Sequence, residues 1–160
     1  MDARVVDGGG FDVIGVSVRT SNRDEMAGAG KIPKLWHEFS NSGILDRIPD
    51  KADDNIIVLY YDYASDKDGE YTYLIGARVT STANLPTGMS AHHVPPGKFA
   101  LFTTDEGPAA QVIPKAWQKI WAIPKSQPGG DRIYKTDYEV YGERAHDPQD
   151  SQVDIYVGIK

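Results

Sequence analysis

Apolar residues in the first half of the chain follow patterns that are typical of strands and of one helix. Three runs rich in β-branched and aromatic residues, at 13–19, 56–61 and 71–79, are predicted to be strands. A polar turn at 66–70 separates the last two, which therefore predict a hairpin. Between the first two strands, four apolar residues recur at helical spacing and predict an amphipathic helix. They are Ile32, Leu35, Trp36 and Phe39.

The second half repeats this order of elements. A strand is predicted at 99–104, and strands at 133–143 and 153–159 enclose a polar turn. A second amphipathic helix is predicted between the strands at 99–104 and 133–143, and it ends before Pro124. Its apolar positions are Val112, Ala116, Trp117, Ile120 and Trp121. Both halves therefore read β-α-β-β, and the predicted fold class is α+β: a tandem β-α-β-β repeat with one or more antiparallel sheets and two main helices.

The two predicted hairpins align with each other, which suggests a pseudo-twofold axis between the halves. In this alignment Glu139 takes the place of Leu59, and Tyr61 corresponds to Tyr141. Tyr61 is therefore favoured over Tyr60 as a residue on the same strand face as Glu139. The replacement of an aliphatic residue by a carboxylate marks the position at which one repeat would gain a functional group.

Glu139 is the most informative single residue of the chain. It lies in a predicted strand crowded with aromatic residues, and glutamate is a poor strand former. In an apolar site its charged form is costly, so the group must shift its pKa or find a cation. The alternative is a solvent-facing glutamate on an edge strand, and spacing alone leaves both interpretations open.

Length and composition narrow the class of protein. The chain has 160 residues, which suits a single domain spanning 1–160, and the three glycines at 8–10 predict that residues 1–10 form a frayed N-terminus. A net charge of −6 disfavours nonspecific binding to nucleic acid or to anionic lipid, because both require a basic face. With no signal peptide and no membrane-spanning run, we expect a cytoplasmic protein.

The common cofactor and catalytic motifs are absent or incomplete. There are no cysteines, which excludes disulfides and thiolate chemistry. The loop around Asp66 lacks the carboxylates at both ends of a calcium loop, with Ala64 and Ile75 at those positions. The adjacent His92 and His93 would point to opposite faces of a strand, so a shared metal is not expected. The sequence therefore predicts no cofactor and no metal.

An ordered set of short motifs resembles a known family over nearly the whole chain, from about Phe11 to Lys160. Each motif is weak alone, and their order gives the resemblance its specificity. The motifs are Ile32 with Leu35, Trp36, Phe39, Gly43 and Ile44; the run 59–63; the run 94–100; Trp117 with Ile120 and Trp121; the run 137–141; and the run 154–157. The family is the gyrase-inhibitor-like (GyrI-like) small-molecule-binding family, which includes the effector-binding domains of some bacterial multidrug-sensing transcription regulators.

The resemblance implies a ligand cleft at the pseudo-twofold axis, in which a glutamate on the penultimate strand faces an aromatic-lined pocket for flat organic cations. That role carries over to Glu139. The candidate aromatic walls are Trp36, Tyr61, Phe99, Trp117, Trp121 and Tyr141. Each aromatic residue has an alternative role in ordinary core packing. Because the chain holds no helix-turn-helix segment beside this domain, we expect a stand-alone form that does not bind DNA directly.

Three functions compete at this point. The first is a binding protein for cationic, aromatic or amphipathic compounds, of the multidrug-binding type. The second is a hydrolase that opens strained cyclopropane rings in toxins, with Glu139 as the general base. The third is an interaction protein of the gyrase-inhibitor type. The sequence favours the first, expects no membrane partner, and leaves open a homodimer or a regulator as partner.

Overall fold

The computed structural model describes residues 2–160, which form one eight-stranded antiparallel sheet with helices packed on one face. The strand order is β1-β6-β8-β7-β3-β4-β2-β5. The strands are β1 (Arg4–Gly8), β2 (Phe11–Ser21), β3 (Ile56–Tyr61), β4 (Glu70–Val79), β5 (Ser90–Val94), β6 (Gly97–Thr103), β7 (Thr136–Tyr141) and β8 (Asp154–Ile159). The helices are α1 (Asn22–Met26), α2 (Ile32–Asn41), α3 (Ile44–Arg47) and α4 (Ala109–Trp121), and a short 3-10 helix spans Glu143–Ala145.

The tandem repeat predicted from the sequence is confirmed by the strand order. The first half places β4 between β2 and β3, and the second half places β8 between β6 and β7. The halves meet where β3 pairs with β7 in an antiparallel register that sets Val58 opposite Glu139. The predicted main helices, α2 and α4, occupy corresponding places after the first strand of each repeat. Glu139 therefore lies on the seam between the two repeats.

Residues near the N-terminus form a strand of the sheet, whereas the sequence predicted that residues 1–10 would be frayed. Residues 4–8 form β1, which pairs with β6 along its whole length. The glycines that were interpreted as a boundary instead form the turn from β1 into β2, in which Gly10 has a φ of 85°. That left-handed conformation favours glycine because a Cβ atom would clash with the backbone.

The register of β3 places Leu59 and Glu139 on opposite faces of the sheet. Glu139 pairs with Val58, so Val58 and Tyr60 share its face, whereas Leu59 and Tyr61 point to the other side. The hairpin alignment derived from the sequence was therefore wrong by one residue. A slip of one residue exchanges the two faces of a strand, which is why it selected Tyr61 in place of Tyr60.

Each face of the sheet carries its own apolar core. On the helix face, Leu35 and Phe39 of α2 pack on β4, and Trp117 and Ile120 of α4 pack on β6 and β8. The opposite face has no main helix over it and carries a separate cluster. Its buried members are Val13, Ile57, Leu59, Tyr61, Leu74, Val94, Phe99 and Tyr138. Both sides of the central strands are thus buried.

Candidate functional site

Glu139 is fully buried on the helix face, and its carboxylate accepts hydrogen bonds from three side chains. Tyr60 donates its hydroxyl to Oε2 at 2.7 Å, and the Trp117 indole N–H donates to the same oxygen at 2.6 Å. Tyr141 donates its hydroxyl to Oε1 at 2.7 Å. The exposed fraction of Glu139 is 0%. Both oxygens are therefore satisfied by neutral donors, and solvent does not reach them.

The fold brings these donors together from three elements. Tyr141 follows Glu139 by two residues on β7, so alternation puts both side chains on one face. Tyr60 lies diagonally across the β3–β7 pair, within reach of a long side chain. Trp117 comes from α4, whose apolar face packs onto this side of the sheet. The carboxylate is thus held where the two repeats and one helix meet.

A second layer of aromatic residues surrounds the three donors. Tyr73 on β4 packs edge-on to Tyr60, with ring centroids 5.1 Å apart, and Tyr71 lies 5.4 Å from the same ring. Trp36 on α2 lies 5.1 Å from Tyr141 and donates its indole N–H to the Tyr73 hydroxyl at 2.8 Å. We call Glu139 together with Trp36, Tyr60, Tyr71, Tyr73, Trp117 and Tyr141 the aromatic cage.

Burial raises the pKa of Glu139 above its ordinary value, because the charged form loses its hydration. The hydrogen bonds from Trp117, Tyr60 and Tyr141 oppose this shift without cancelling it. Burial and the nearby carboxylate also raise the pKa values of Tyr60 and Tyr141, so both hydroxyls stay protonated and remain donors at neutral pH. The cage holds a carboxylate that is hydrogen-bonded but electrostatically uncompensated.

Asp137 shows how the same strand treats a carboxylate that has a structural partner. It lies two residues before Glu139 on the same face and is also fully buried. Its Oδ2 accepts from Arg132 at 2.6 Å in an ion pair, and its Oδ1 accepts from the Gly158 backbone N–H at 2.8 Å. Within residues 2–160, Glu139 forms no such ion pair. One buried acid is neutralised internally and the other is not.

Three of the aromatic residues predicted for the site lie in the cage, namely Trp36, Trp117 and Tyr141. Trp121 lies one helical turn after Trp117 and packs against the core beneath α4. The role of these four aromatic residues in ligand binding stays a prediction.

Tyr61 and Phe99 are not beside Glu139, contrary to the expected placement. Tyr61 points to the other face and stacks on His92, with ring centroids 3.7 Å apart. Phe99 belongs to the cluster on that same opposite face, where it packs edge-on to Tyr138. The register of β3 and β6 explains both differences, because alternation assigns these residues to the face without helices.

The sequence interpretation missed Tyr60, Tyr71 and Tyr73. A signal for them was present, since Tyr71 and Tyr73 alternate along β4 and end on the same face as Tyr60 once β3 and β4 are paired. The pairing of Tyr60 with Tyr73 could be proposed from the hairpin only if the register were known.

Comparison with known proteins identifies the family. The family model of Cass2, described as an integron-associated effector-binding protein, matches residues 4–159. The chain therefore belongs to this family of effector-binding proteins, which confirms the GyrI-like resemblance. Over 149 residues it is 34% identical to YobU of Bacillus subtilis, covering 91% of this chain and 90% of YobU. YobU is itself provisionally described as a transcriptional regulator.

Solved structures show the same architecture. The integron cassette protein Cass2 of Vibrio cholerae superimposes with a TM-score of 0.72 at 26% identity, covering 99% of this chain and 95% of that one. SAV2435, solved bound to tetraphenylphosphonium, superimposes with a TM-score of 0.79 at 14% identity, covering 100% and 94%. Among the described residues, no helix is both long and apolar enough to span a membrane.

Proposed function

We propose that the protein binds small cationic compounds with aromatic or amphipathic character, and that Glu139 supplies the charge that selects them. The observation that carries this proposal is the fully buried carboxylate of Glu139, which has three neutral donors and no ion-pair partner among residues 2–160. A buried charge without a counterion destabilises a folded protein, so stability alone does not explain its presence. A ligand cation would supply the missing charge.

The surroundings of Glu139 favour a delocalised organic cation over a metal or a small ammonium ion. Strongly hydrated ions must lose their water to reach a buried carboxylate, whereas a delocalised cation is weakly hydrated and loses less. The cage also offers aromatic faces from Tyr60, Trp117 and Trp36. Each cation–π contact typically contributes about 0.5–2 kcal/mol. SAV2435, which shares the fold, was solved with a ligand of this chemical type, tetraphenylphosphonium.

Ligand access requires the cage to open, because Glu139 is 0% exposed. Trp117 is the side chain whose movement would uncover the carboxylate with the least disturbance of the sheet, since it comes from α4 and not from a paired strand. The Tyr60 and Tyr141 hydroxyls could then remain on the carboxylate and orient it. The bound cation would replace the indole donor.

The test is calorimetric titration with tetraphenylphosphonium of the parent and of Glu139→Gln, which keeps the size of the side chain and removes its charge. We expect the variant to bind at least about tenfold more weakly, which corresponds to roughly 1.4 kcal/mol. Glu38→Gln is the matched control, because Glu38 is exposed on α2 and its side chain makes no hydrogen bond within residues 2–160. Equal affinity in parent and Glu139→Gln would refute the assigned role.

A second function is favoured by one specific observation, the raised pKa of Glu139. A general base works best when its pKa lies near the operating pH, and burial moves this carboxyl in that direction. Glu139 would then take a proton from water as the water oxygen bonds to one carbon of a strained cyclopropane ring in the bound compound. The ring C–C bond breaks, its electron pair goes to the departing carbon, and that carbon takes up a proton, so that water is added across the broken bond. Chromatography of such a compound after incubation separates the two functions: a binder returns it intact, whereas a hydrolase yields the ring-opened product, and Glu139→Gln does not.

A further inference from the structure

The face of the sheet opposite α2 and α4 carries a cleft of about 330 Å³. Its lining includes Arg4 of β1 at one end of the sheet and Val94 of β5 at the other. Strands from both ends of the sheet therefore border one space, which means that the sheet curls around it. This concave cleft lies on the opposite side of β7 from the aromatic cage, because Tyr138 lines it and Glu139 does not.

Aromatic rings form the floor of the concave cleft. Tyr138 and Tyr156, paired across β7 and β8, stack with ring centroids 4.5 Å apart and planes 9° from parallel. Phe11 and Phe99 meet Tyr138 edge-on, with centroids at 5.0 and 5.2 Å. The floor is thus a cluster of aromatic rings against which a planar ring can pack.

The charge at the concave cleft is positive, although the chain as a whole carries −6. Arg78 projects from β4 with its guanidinium carbon 4.1 Å from the centre of the Phe11 ring. Its Nε is buried without a hydrogen-bond partner, and its side chain forms no hydrogen bond or ion pair within residues 2–160. Arg4 lines the cleft as well, and Asp7 is the one acidic residue in the lining. The Arg78 guanidinium therefore has no internal anion.

The tyrosine hydroxyls of the floor are also available. Within the described chain, the hydroxyl of neither Tyr138 nor Tyr156 takes part in a hydrogen bond, and both residues line the cleft. Burial raises the pKa of Tyr138 to about 12, so its hydroxyl stays neutral and can donate at physiological pH. The cleft therefore offers two hydroxyl groups and the Arg78 guanidinium beside aromatic rings, and such convergent polar groups fix the orientation of a ligand.

We propose that the concave cleft is a binding site for small planar aromatic carboxylates. The guanidinium of Arg78 matches the two oxygens of a carboxylate and already stacks on an aromatic ring. The ring of the ligand would pack against the rings of Tyr138 and Tyr156, and their hydroxyls would complete the hydrogen bonds of the carboxylate. A volume near 330 Å³ is at the small end of ligand sites, which fits one or two fused rings.

The proposal is tested by titrating the protein with 2-naphthoate and following aromatic resonances by NMR. We expect saturable binding with a dissociation constant on the order of millimolar or tighter. The ring resonances of Tyr138 and Tyr156 should shift, whereas the three indole N–H resonances should not, because none of the tryptophans lines this cleft. Two matched ligands separate the contributions: 2-naphthamide has the ring without the charge, and acetate has the charge without the ring. Both should bind at least about tenfold more weakly.

The matched variants are Arg78→Met, which removes the charge and keeps the stem, and Arg47→Met, an exposed arginine on α3 of the other face. We expect Arg78→Met to weaken 2-naphthoate binding at least about tenfold and Arg47→Met to leave it unchanged. A thermal melt of each variant shows whether it is folded; if Arg78→Met does not fold, Arg78→Lys, which loses the fork geometry, replaces it. Equal binding by Arg78→Met and the parent, shifts at the indole resonances, or no saturation below about 10 mM would overturn the proposal.

Discussion

Glu139 and Asp137 lie two residues apart on one face of β7, and the chain stabilises their charges in different ways. Asp137 has the guanidinium of Arg132 and a backbone N–H of β8. Glu139 has only neutral donors, so its charge is oriented but not balanced. Removing one member of a buried ion pair is strongly destabilising, whereas removing an unpaired buried charge is not. The two residues should therefore respond oppositely to mutation.

Replacing Glu139 by glutamine should stabilise the free protein, and the gain should depend on pH. The pKa of Glu139 is raised in the folded state, so its protonated form favours folding at acid pH, and this contribution is lost as the pH rises through the raised pKa. Glutamine has no such dependence. We therefore expect parent and Glu139→Gln to differ little near pH 4 and the variant to become the more stable one toward about pH 8.

Urea unfolding of both proteins at several pH values measures this difference, with Asp137→Asn for comparison. The latter should lose about 3–5 kcal/mol, because it leaves Arg132 buried without its partner. If Glu139→Gln were less stable than the parent at neutral pH, the three hydrogen bonds to the carboxylate would stabilise the fold by more than desolvation of the charge destabilises it.

The neighbouring tyrosines of β3 offer a matched pair of substitutions. Tyr60→Phe deletes a donor to the Glu139 carboxylate, whereas Tyr61→Phe deletes a hydroxyl on the opposite face that makes no hydrogen bond within residues 2–160. We expect Tyr60→Phe to lose about 1.5–3 kcal/mol of unfolding free energy and to raise the pKa of Glu139 further. Tyr61→Phe should change stability by less than about 0.5 kcal/mol.

Denaturant unfolding gives both free energies, and a carboxyl ¹³C label on Glu139 reports its titration by NMR. If the two variants were equally stable, or if their Glu139 titrations coincided, Tyr60 would not be the donor that the geometry assigns.

The sequence identified Glu139 but not all of its neighbours, and the reason is local. A strand with one buried face alternates between apolar and polar residues, which fixes the direction of each side chain. The run 56–61 is apolar throughout because both of its faces are buried, so no alternation is visible. The choice between Tyr60 and Tyr61 therefore required the pairing of β3 with β7.

At the scale of elements, the two main helices contribute equivalent side chains to the cage. Trp36 of α2 donates its indole N–H to Tyr73, and Trp117 of α4 donates to Glu139. Both helices were predictable because their apolar residues recur at helical spacing and each ends near a helix-stopping residue. The elements that the sequence analysis missed are β1, β5, α1 and α3. They are four or five residues long, and β5 is largely polar. Neither the helical nor the strand repeat of apolar residues is therefore visible in them.

The pairing of β2 with β4 depends on two glycines that face each other, Gly15 and Gly76. A Cβ atom on Gly76 would lie 2.0 Å from the backbone oxygen of Ile14, which cannot move without breaking the ladder. We expect Gly76→Ala to lose about 1–3 kcal/mol or more of unfolding free energy through this clash. Gly97→Ala in β6 is the control, since nothing lies within 4 Å of its added Cβ.

Thermal and urea unfolding of these two alanine variants compare the sites directly. Gly97→Ala should be neutral or slightly stabilising, because alanine restricts the unfolded chain more than glycine does. Comparable losses in both variants would show that strand propensity, and not the close approach of β2 and β4, determines the cost.

At the scale of the whole molecule, one strand separates two chemically opposite environments. Glu139 points toward the helices into a cage with an unbalanced negative charge. Tyr138, the residue before it, points into a cleft lined by Arg78, which has no ion-pair partner within residues 2–160. The doubled fold creates this arrangement because its central strands, including β3 and β7, are buried on both sides. Period-2 alternation along β7 then delivers consecutive residues to different sites.

Cation binding should be linked to the protonation of the folded protein. A cation attracts the ionised form of Glu139 and lowers the raised pKa of its carboxyl, so binding near that pKa releases a proton. Affinity for tetraphenylphosphonium should therefore fall as the pH is lowered through the pKa of Glu139 and level off above it. Glu139→Gln should show weak binding that does not change with pH.

Calorimetric titration in two buffers of different ionisation enthalpy measures the released proton, from about pH 4 to 8. The heats for the parent should differ between the buffers near the pKa of Glu139 and agree at higher pH, where the carboxyl is already ionised. At a ligand concentration of about a hundred times the dissociation constant, the complex should also gain roughly 2.7 kcal/mol of unfolding free energy. Binding that is tight but independent of both pH and buffer would mean that the cation is held by the aromatic rings alone, with no contribution from the charge of Glu139.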